Sequence, residues 1–390
     1  MIARVKEIEA VKYRMDTYPV VGIVGARQVG KTTLARAVIE TFDQPVTVFD
    51  LEDPGDLARL GDPMLALKGL NGVAVIDEIQ KVPDLFPVLR VLSDRPDLPC
   101  RFLVLGSASP GLLKQSAETL AGRIYYHRLG GFSIEEVGAA NLQTLWIRGG
   151  FPRSFLASSH RQSHEWRRQF IQTFLERDLP QLGIFTSATT MRRFWTMLAH
   201  YHGQVWNASE FGRSFGVADT TIRQYLDRLS SALVVDVLQP WHENISKRQV
   251  KSPKVYVADT GLLHSLLNQV TMEDMERHPK VGASWEGFVI QQLIRQLQAA
   301  PEECFFWRTH AGAELDLLAV RGRTRLGFEI KRTVAPKITP SMRNAVTDLG
   351  LARLDVIHAG DHTYPMSKTI RAVAAAQILT EIPPLDVAEG

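Results

Sequence analysis

The stretch Tyr18 to Ala37, YPVVGIVGARQVGKTTLARA, constrains this chain more than any other. An apolar run of strand length breaks into glycine and restarts with helical periodicity. Inside it, Gly25-Ala26-Arg27-Gln28-Val29-Gly30-Lys31-Thr32 fits the phosphate-loop pattern GxxxxGK[ST]. Gly25 and Gly30 allow backbone turns that a side chain would forbid, so successive N–H groups can converge on phosphate oxygens. Lys31 brings a mobile positive charge for the β and γ phosphates, and Thr32 brings a hydroxyl for Mg2+. The helix that starts there adds the positive end of its dipole. The expected contact set runs from Gly25 through Thr33, and the implied ligands are ATP, or another nucleoside triphosphate, and Mg2+.

The next hundred residues extend that beginning. Pro45–Leu51 reads as a second strand, and Gly72–Ile76 as a third that runs into Asp77-Glu78. Strand, helix, strand predicts a parallel sheet. A carboxylate pair at the carboxyl end of a central strand suits triphosphate hydrolysis: Asp77 to hold Mg2+, Glu78 to orient and polarise the attacking water. A fourth strand, Arg101–Leu105, closes on Gly106-Ser107-Ala108-Ser109, where Ser107 is the candidate to hydrogen-bond the γ phosphate or the water. A fifth, Ile124–Leu129, comes after Leu120-Ala121-Gly122-Arg123.

GARQVGKTT, VIDEIQKVP, LGSAS and LAGR in this order resemble an AAA+ ATPase domain, in the prokaryotic branch whose second carboxylate motif reads DEIQ. The resemblance implies a homo-oligomeric ring such as a hexamer, in which Arg123 completes the neighbouring subunit's site, having no use within its own. It also implies a second arginine in a helical lid, for which Arg153 is the nearest match.

Composition sets limits on the remainder. With 390 residues, 45% hydrophobic and 22% charged, the chain is long enough for several cores, and a net charge of +3 means that any nucleic-acid contact must rest on a local basic patch. Two cysteines far apart, Cys100 and Cys304, suit a reducing cytoplasm. No apolar run approaches the ~20 residues of a membrane span. The N-terminal MIARVKEIEAVKYRM reads as an amphipathic helix.

From Ser158 to His202, Trp166, Phe170, Phe174, Phe194, Trp195 and Leu198 recur at helical spacing, as in a small bundle whose aromatics form the core. Arg177-Asp178 suggests an ion pair, within or between subunits. Asn207–Leu229 reads as a helix-turn-helix: Asn207 and Glu210 suit a capping box, Gly216 the turn, and Asp219 the cap of a second helix with Ile222, Leu226 and Leu229 inward. Strands Ala232–Leu238 and Lys254–Ala258 flank a basic loop, Ser246–Lys254, which makes the module winged. Thr220, Thr221, Arg223 and Gln224 face outward, as groove-reading residues do, although winged helices also dock proteins.

The last segment holds a second constellation. If Gly322-Arg323 is a two-residue hairpin turn, Asp316 faces Glu329 and Glu314 faces Lys331, all on one side of the ribbon. Facing carboxylates can share a divalent metal, and a nearby lysine can activate water. Asp316 with Glu329-x-Lys331, and Glu286 on the preceding helix, resemble the PD-(D/E)xK nuclease core. The competing reading is a hairpin held by a Glu314–Lys331 pair, and nuclease-like folds are often kept for binding alone.

The combination resembles a prokaryotic family of AAA ATPases with a C-terminal domain of unknown function. The expected fold class is therefore α/β: an AAA+ parallel-sheet core over 1–138, a helical lid over 139–202, a winged helix-turn-helix over 203–268 and a nuclease-like α/β domain over 269–390. The expected function is an oligomeric Mg2+-dependent ATPase acting on DNA, with cleavage an open question. The alternative is a nucleotide-gated switch that docks a protein the sequence does not name.

Overall fold

A computed structural model describes residues 2–107, 118–181, 186–242 and 250–385, with Ser107 described in its backbone only. The Ser107 side chain, Ala108 and Ser109, and Ser246–Gln249 of the basic loop lie outside the described residues. The chain divides into two compact units that are discontinuous in sequence. The first comprises Met1–Gly131, Arg177–Phe185 and Ser231–Val234; the second comprises Phe132–Glu176, Thr186–Ser230 and Val235–Gly390.

In the first unit, β1 (Val20–Gly25), β2 (Val46–Asp50), β3 (Gly72–Asp77), β4 (Cys100–Ser107) and β5 (Ile124–Leu129) form a sheet in the order β2-β3-β4-β1-β5. Every neighbouring pair is parallel. β1 and β3 are buried at every residue, which is why they read as unbroken apolar runs rather than alternating ones. β2 forms one edge and leaves Val48 exposed. The helix Lys31–Ile39 buries Leu34, Ala35 and Val38, and the N-terminal helix Val5–Thr17 buries Val11 and Met15 on one face. Phe49, Phe86, Leu89 and Phe102 fill the core on the side of β3 and β4.

Strand register brings the chemistry to one edge of this sheet. Gly25 pairs with both Ser107 and Leu129, so the ends of β1, β4 and β5 lie level. Gly25 is also required by space, because a Cβ there would stand 2.5 Å from the Leu129 carbonyl oxygen. Gly25→Ala is expected to destabilise the first unit by about 1–3 kcal/mol, since the Leu129 backbone and the Val29 side chain must shift. A lowered urea midpoint with an unchanged slope would register it.

Among the described residues, the second unit is built on nine strands: β6 (Gln204–Val205), β7 (Val235–Pro240), β8 (Lys254–Val257), β9 (Cys304–Arg308), β10 (Glu314–Arg321), β11 (Thr324–Lys331), β12 (Leu354–His358), β13 (Tyr364–Pro365) and β14 (Ile370–Ala374). Their order is β13-β14-β12-β11-β10-β9-β7-β8-β6. β7 and β8 are antiparallel, and β7 joins β9 in parallel through Gln239 opposite Phe305 and Pro240 opposite Phe306. That junction merges segments that the sequence suggests are separate. The β10–β11 hairpin turns at Gly322 (φ 59°), and Leu317 pairs with Phe328 and Arg321 with Thr324, the register expected from a two-residue turn.

Helices Ala208–Phe215 and Asp219–Ser231 are joined through Gly216, whose φ of 66° favours glycine. Asn207 caps the first by accepting from the Glu210 amide at 3.3 Å. The reciprocal half of the expected capping box is absent, because the Glu210 carboxylate accepts from Tyr201 Oη at 3.0 Å instead. Ile222, Leu226 and Leu229 are buried, while Thr220, Arg223 and Gln224 are exposed. Phe170, Phe174, Phe194, Trp195 and Leu198 are buried, as expected of a bundle core. Among the described residues, no helix is long and apolar enough to cross a membrane.

Candidate functional site

The phosphate loop leaves β1 at Gly25 and enters the helix Lys31–Ile39 through Gly30, whose φ of 103° only glycine adopts readily. Gln28 also has a left-handed φ of 61°. Lys31 is 6% exposed and its Nζ donates to the carbonyl oxygens of Gly25 at 3.1 Å and Ala26 at 3.2 Å. Burial pulls its pKa below the ordinary lysine value, against the opposing pull of Glu78 and Asp77. The ammonium group is thus short of compensation.

Asp77, at the end of β3, accepts from Thr32 Oγ1 at 2.8 Å and from the Glu78 amide at 2.8 Å. The two residues expected to hold Mg2+ therefore touch across the sheet edge. Glu78 takes a left-handed φ of 54°, unusual for a non-glycine residue, and its carboxylate accepts from Gln80 Nε2. Gln80 Oε1 is buried with no partner among the described residues. Gln80 is the fourth residue of DEIQ, and its grip on Glu78 is not something the motif alone could reveal.

Arg27 leaves the loop to form an ion pair with Asp178, which is itself buried. The suspected pair Arg177–Asp178 is replaced by this longer-range one. Arg123 also has a partner in its own chain, contrary to expectation: its Nε and Nη2 form a fork with Asp94 at 2.6 and 3.0 Å. The pair is exposed, where such forks contribute little to stability. Arg153 belongs to the second unit and is exposed in the short helix Pro152–Phe155.

The acidic constellation of the second unit assembles around a residue that the sequence pattern assigns to the basic loop. Lys254, 2% exposed, places its Nζ 3.1 Å from Glu286, 2.5 Å from Glu314 and 3.7 Å from Asp316. Tyr256 Oη donates to Glu286 at 2.7 Å. Burial opposes the Lys254 charge, but the surrounding Tyr256, Glu286, Asp316 and Glu314 outweigh it, and its pKa is raised well above the usual range. Asp316 also accepts from the Ile330 amide at 2.8 Å.

The Glu314–Lys331 pair of the competing reading does not form. Lys331 pairs with Glu329 at 2.6 Å, and Glu314 lies opposite Arg308 in register, 3.5 Å from its Nε. Glu329 is 5% exposed with Oε2 unpartnered among the described residues. Burial and then Asp316 raise its pKa, and the same two causes raise that of Glu286. As the side chains stand, an ammonium group fills the space between the carboxylates. Among the described residues, no three His, Cys, Asp or Glu side chains are grouped so as to hold a metal ion.

A family described as an AAA domain matches residues 17–138. Two domains of unknown function, DUF8612 and DUF4143, match 139–273 and 281–378. The first unit thus has the fold and loop of an AAA-type P-loop ATPase. The chain is 55% identical over 362 residues to the uncharacterized protein Rv2008c of Mycobacterium tuberculosis, covering 93% of this chain and 81% of that one. The uncharacterized Mb2031c of Mycobacterium bovis matches equally. The chain belongs to the family of these proteins. Among solved structures, the Walker-type ATPase PABY2304 of Pyrococcus abyssi aligns at 13% identity with a TM-score of 0.48, over 68% of this chain and 96% of that one. The Thermotoga maritima RuvB Holliday junction branch migration motor aligns at 17% with a TM-score of 0.28, over 69% and 96%.

Two outcomes are expected of the acidic cluster. Lys254→Met leaves buried carboxylates without their cation and should cost about 3–5 kcal/mol in the second unit, read from chemical denaturation. The raised pKa values of Glu286 (about 7) and Glu329 (about 8) mean that the folded state binds protons the unfolded chain has already lost. Their contribution is complete below the ordinary glutamate pKa and fades as pH rises through about 7 to about 8. The denaturation midpoint should fall as pH rises from the ordinary glutamate value and level off above about 8, and Glu329→Gln should flatten the fall.

Proposed function

We propose that this protein is a Mg2+-dependent ATPase that works as a homo-oligomer and couples hydrolysis to nucleic acid. One observation carries the reading. Lys31, Thr32, Asp77 and Glu78 meet at the carboxyl ends of parallel strands of one sheet, with the lysine ammonium parked on loop carbonyls. A triphosphate would draw Lys31 off those carbonyls, and Thr32 and Asp77 are the residues that would hold Mg2+ carried with the nucleotide. Glu78, steered by Gln80, would orient the attacking water, with Ser107 beside the γ phosphate. Arg123 would act on a neighbouring subunit only after leaving Asp94, so assembly and release of that fork would be linked. Arg153 is the corresponding proposal for the lid.

Nucleic acid would be engaged by the helix pair 208–231, through Thr220, Thr221, Arg223 and Gln224, with the strands after it acting as the wing. The nuclease-like arrangement of Glu286, Asp316, Glu329 and Lys331 would then serve to bind rather than cut, because Lys254 already supplies the positive charge that a catalytic metal would bring. A specific observation favours the second reading, a nucleotide-gated switch that docks a protein. Asp227 is exposed one helical turn from Arg223 and Gln224, a negative charge where phosphates would have to pass.

Lys31→Ala is expected to abolish nucleotide uptake, while Glu78→Gln keeps uptake and loses about 100-fold or more in turnover. Stimulation of that turnover by DNA, with a gel shift that weakens as salt rises, would support the nucleic-acid arm. Turnover indifferent to DNA, with a mass that changes on adding ATP, would transfer the assignment to the protein switch.

A further inference from the structure

Arg27 stands in the middle of the phosphate loop, and its guanidinium is engaged by a carboxylate remote in sequence. Nη1 donates to Asp178, whose side chain is 6% exposed. Asp178 is the last residue of a π-helical turn, Phe174–Asp178, set between the helices His160–Thr173 and Leu179–Gln181. Such turns are rare and concentrate at functional sites. The surrounding segment, Arg177–Phe185, belongs to the first unit, while the chain before Arg177 and after Phe185 belongs to the second. Both charges reach Lys31 electrostatically, Arg27 opposing its protonation and Asp178 favouring it.

Asp178 is a third carboxylate in reach of the loop, beyond the pair at the end of β3. It repels a triphosphate and holds a cation that such a ligand would attract. A terminal phosphate offers a guanidinium more negative charge and more acceptor oxygens than a carboxylate does, in the same forked geometry. We infer that Arg27 and Asp178 form a latch that reports the nucleotide state. Without a γ phosphate, Arg27 holds the end of the π-turn to the loop. With one, Arg27 turns to the phosphate and Asp178 is released, freeing the end of the π-turn. ADP, lacking that group, leaves the latch closed. Asp178 is a positioning residue in this scheme, since it acts through Arg27.

The latch rests on the triphosphate reading of the loop, and one experiment separates the two. Amide hydrogen exchange over residues 174–181 of the full chain is compared without nucleotide, with Mg-ADP and with Mg-ATPγS, alongside calorimetric affinities. Exchange should rise about fivefold or more with ATPγS and stay unchanged with ADP, the lower end of ordinary coupling between sites. Asp178→Asn should exchange fast in every state and tighten ATPγS binding about fivefold more than ADP binding. Arg27→Gln should also exchange fast in every state but lose the preference for ATPγS. Binding of both nucleotides with equal exchange over 174–181, or an Asp178→Asn variant that shifts both affinities alike, would overturn the latch alone. Failure of the wild-type chain to take up either nucleotide would overturn the loop reading and the latch with it.

Discussion

A buried ammonium group must be compensated or lose its proton, and two lysines in this chain meet that constraint in opposite ways. Lys254 is fully compensated. Three carboxylates close around it, its charge is stabilised, and the hairpin, the helix Val281–Gln296 and β8 are tied together by that one group. Lys31 is compensated poorly, by two backbone carbonyls and by carboxylates that do not touch it, and burial wins. The first arrangement is a finished structural element. The second is an unsatisfied one, and a ligand rich in negative oxygens would complete it.

The difference originates in the sheets. In the first unit, the buried strands β1 and β3 are parallel, so polar groups collect at the carboxyl edge, where loops leave the core. In the second, antiparallel pairing of β9, β10 and β11 alternates side chains across the sheet, and Asp316 and Glu329 are carried into a buried layer that must hold its own counter-charge.

Much of this is legible in the chain. GARQVGKT and the apolar runs of β1 and β3, the second leading into Asp77-Glu78, emerge from local pattern, because a fully buried parallel strand has few ways to be written. The hairpin register is set by Gly322-Arg323, because a two-residue turn leaves one pairing. Contacts between distant segments are not legible. Arg123 with Asp94 and Arg27 with Asp178 join residues 29 and 151 positions apart, and no local pattern distinguishes a paired surface arginine from one awaiting a neighbour. Lys254 is hidden for a related reason. It comes after a stretch rich in lysine and arginine, and only the return of β8 beside β7 turns it inward.

The parallel seam between β7 and β9 bears on how these proteins can be divided. Its two backbone pairs join Gln239-Pro240 to Phe305-Phe306, and the cation for the acidic layer comes from β8, next to β7 in the sheet. A fragment that begins after β8 would keep every carboxylate around Lys254, yet lack both their neutralising charge and the strand that covers the sheet edge. In this chain, a fragment that keeps the charge and the sheet edge of that layer would have to reach back to include β7 and β8.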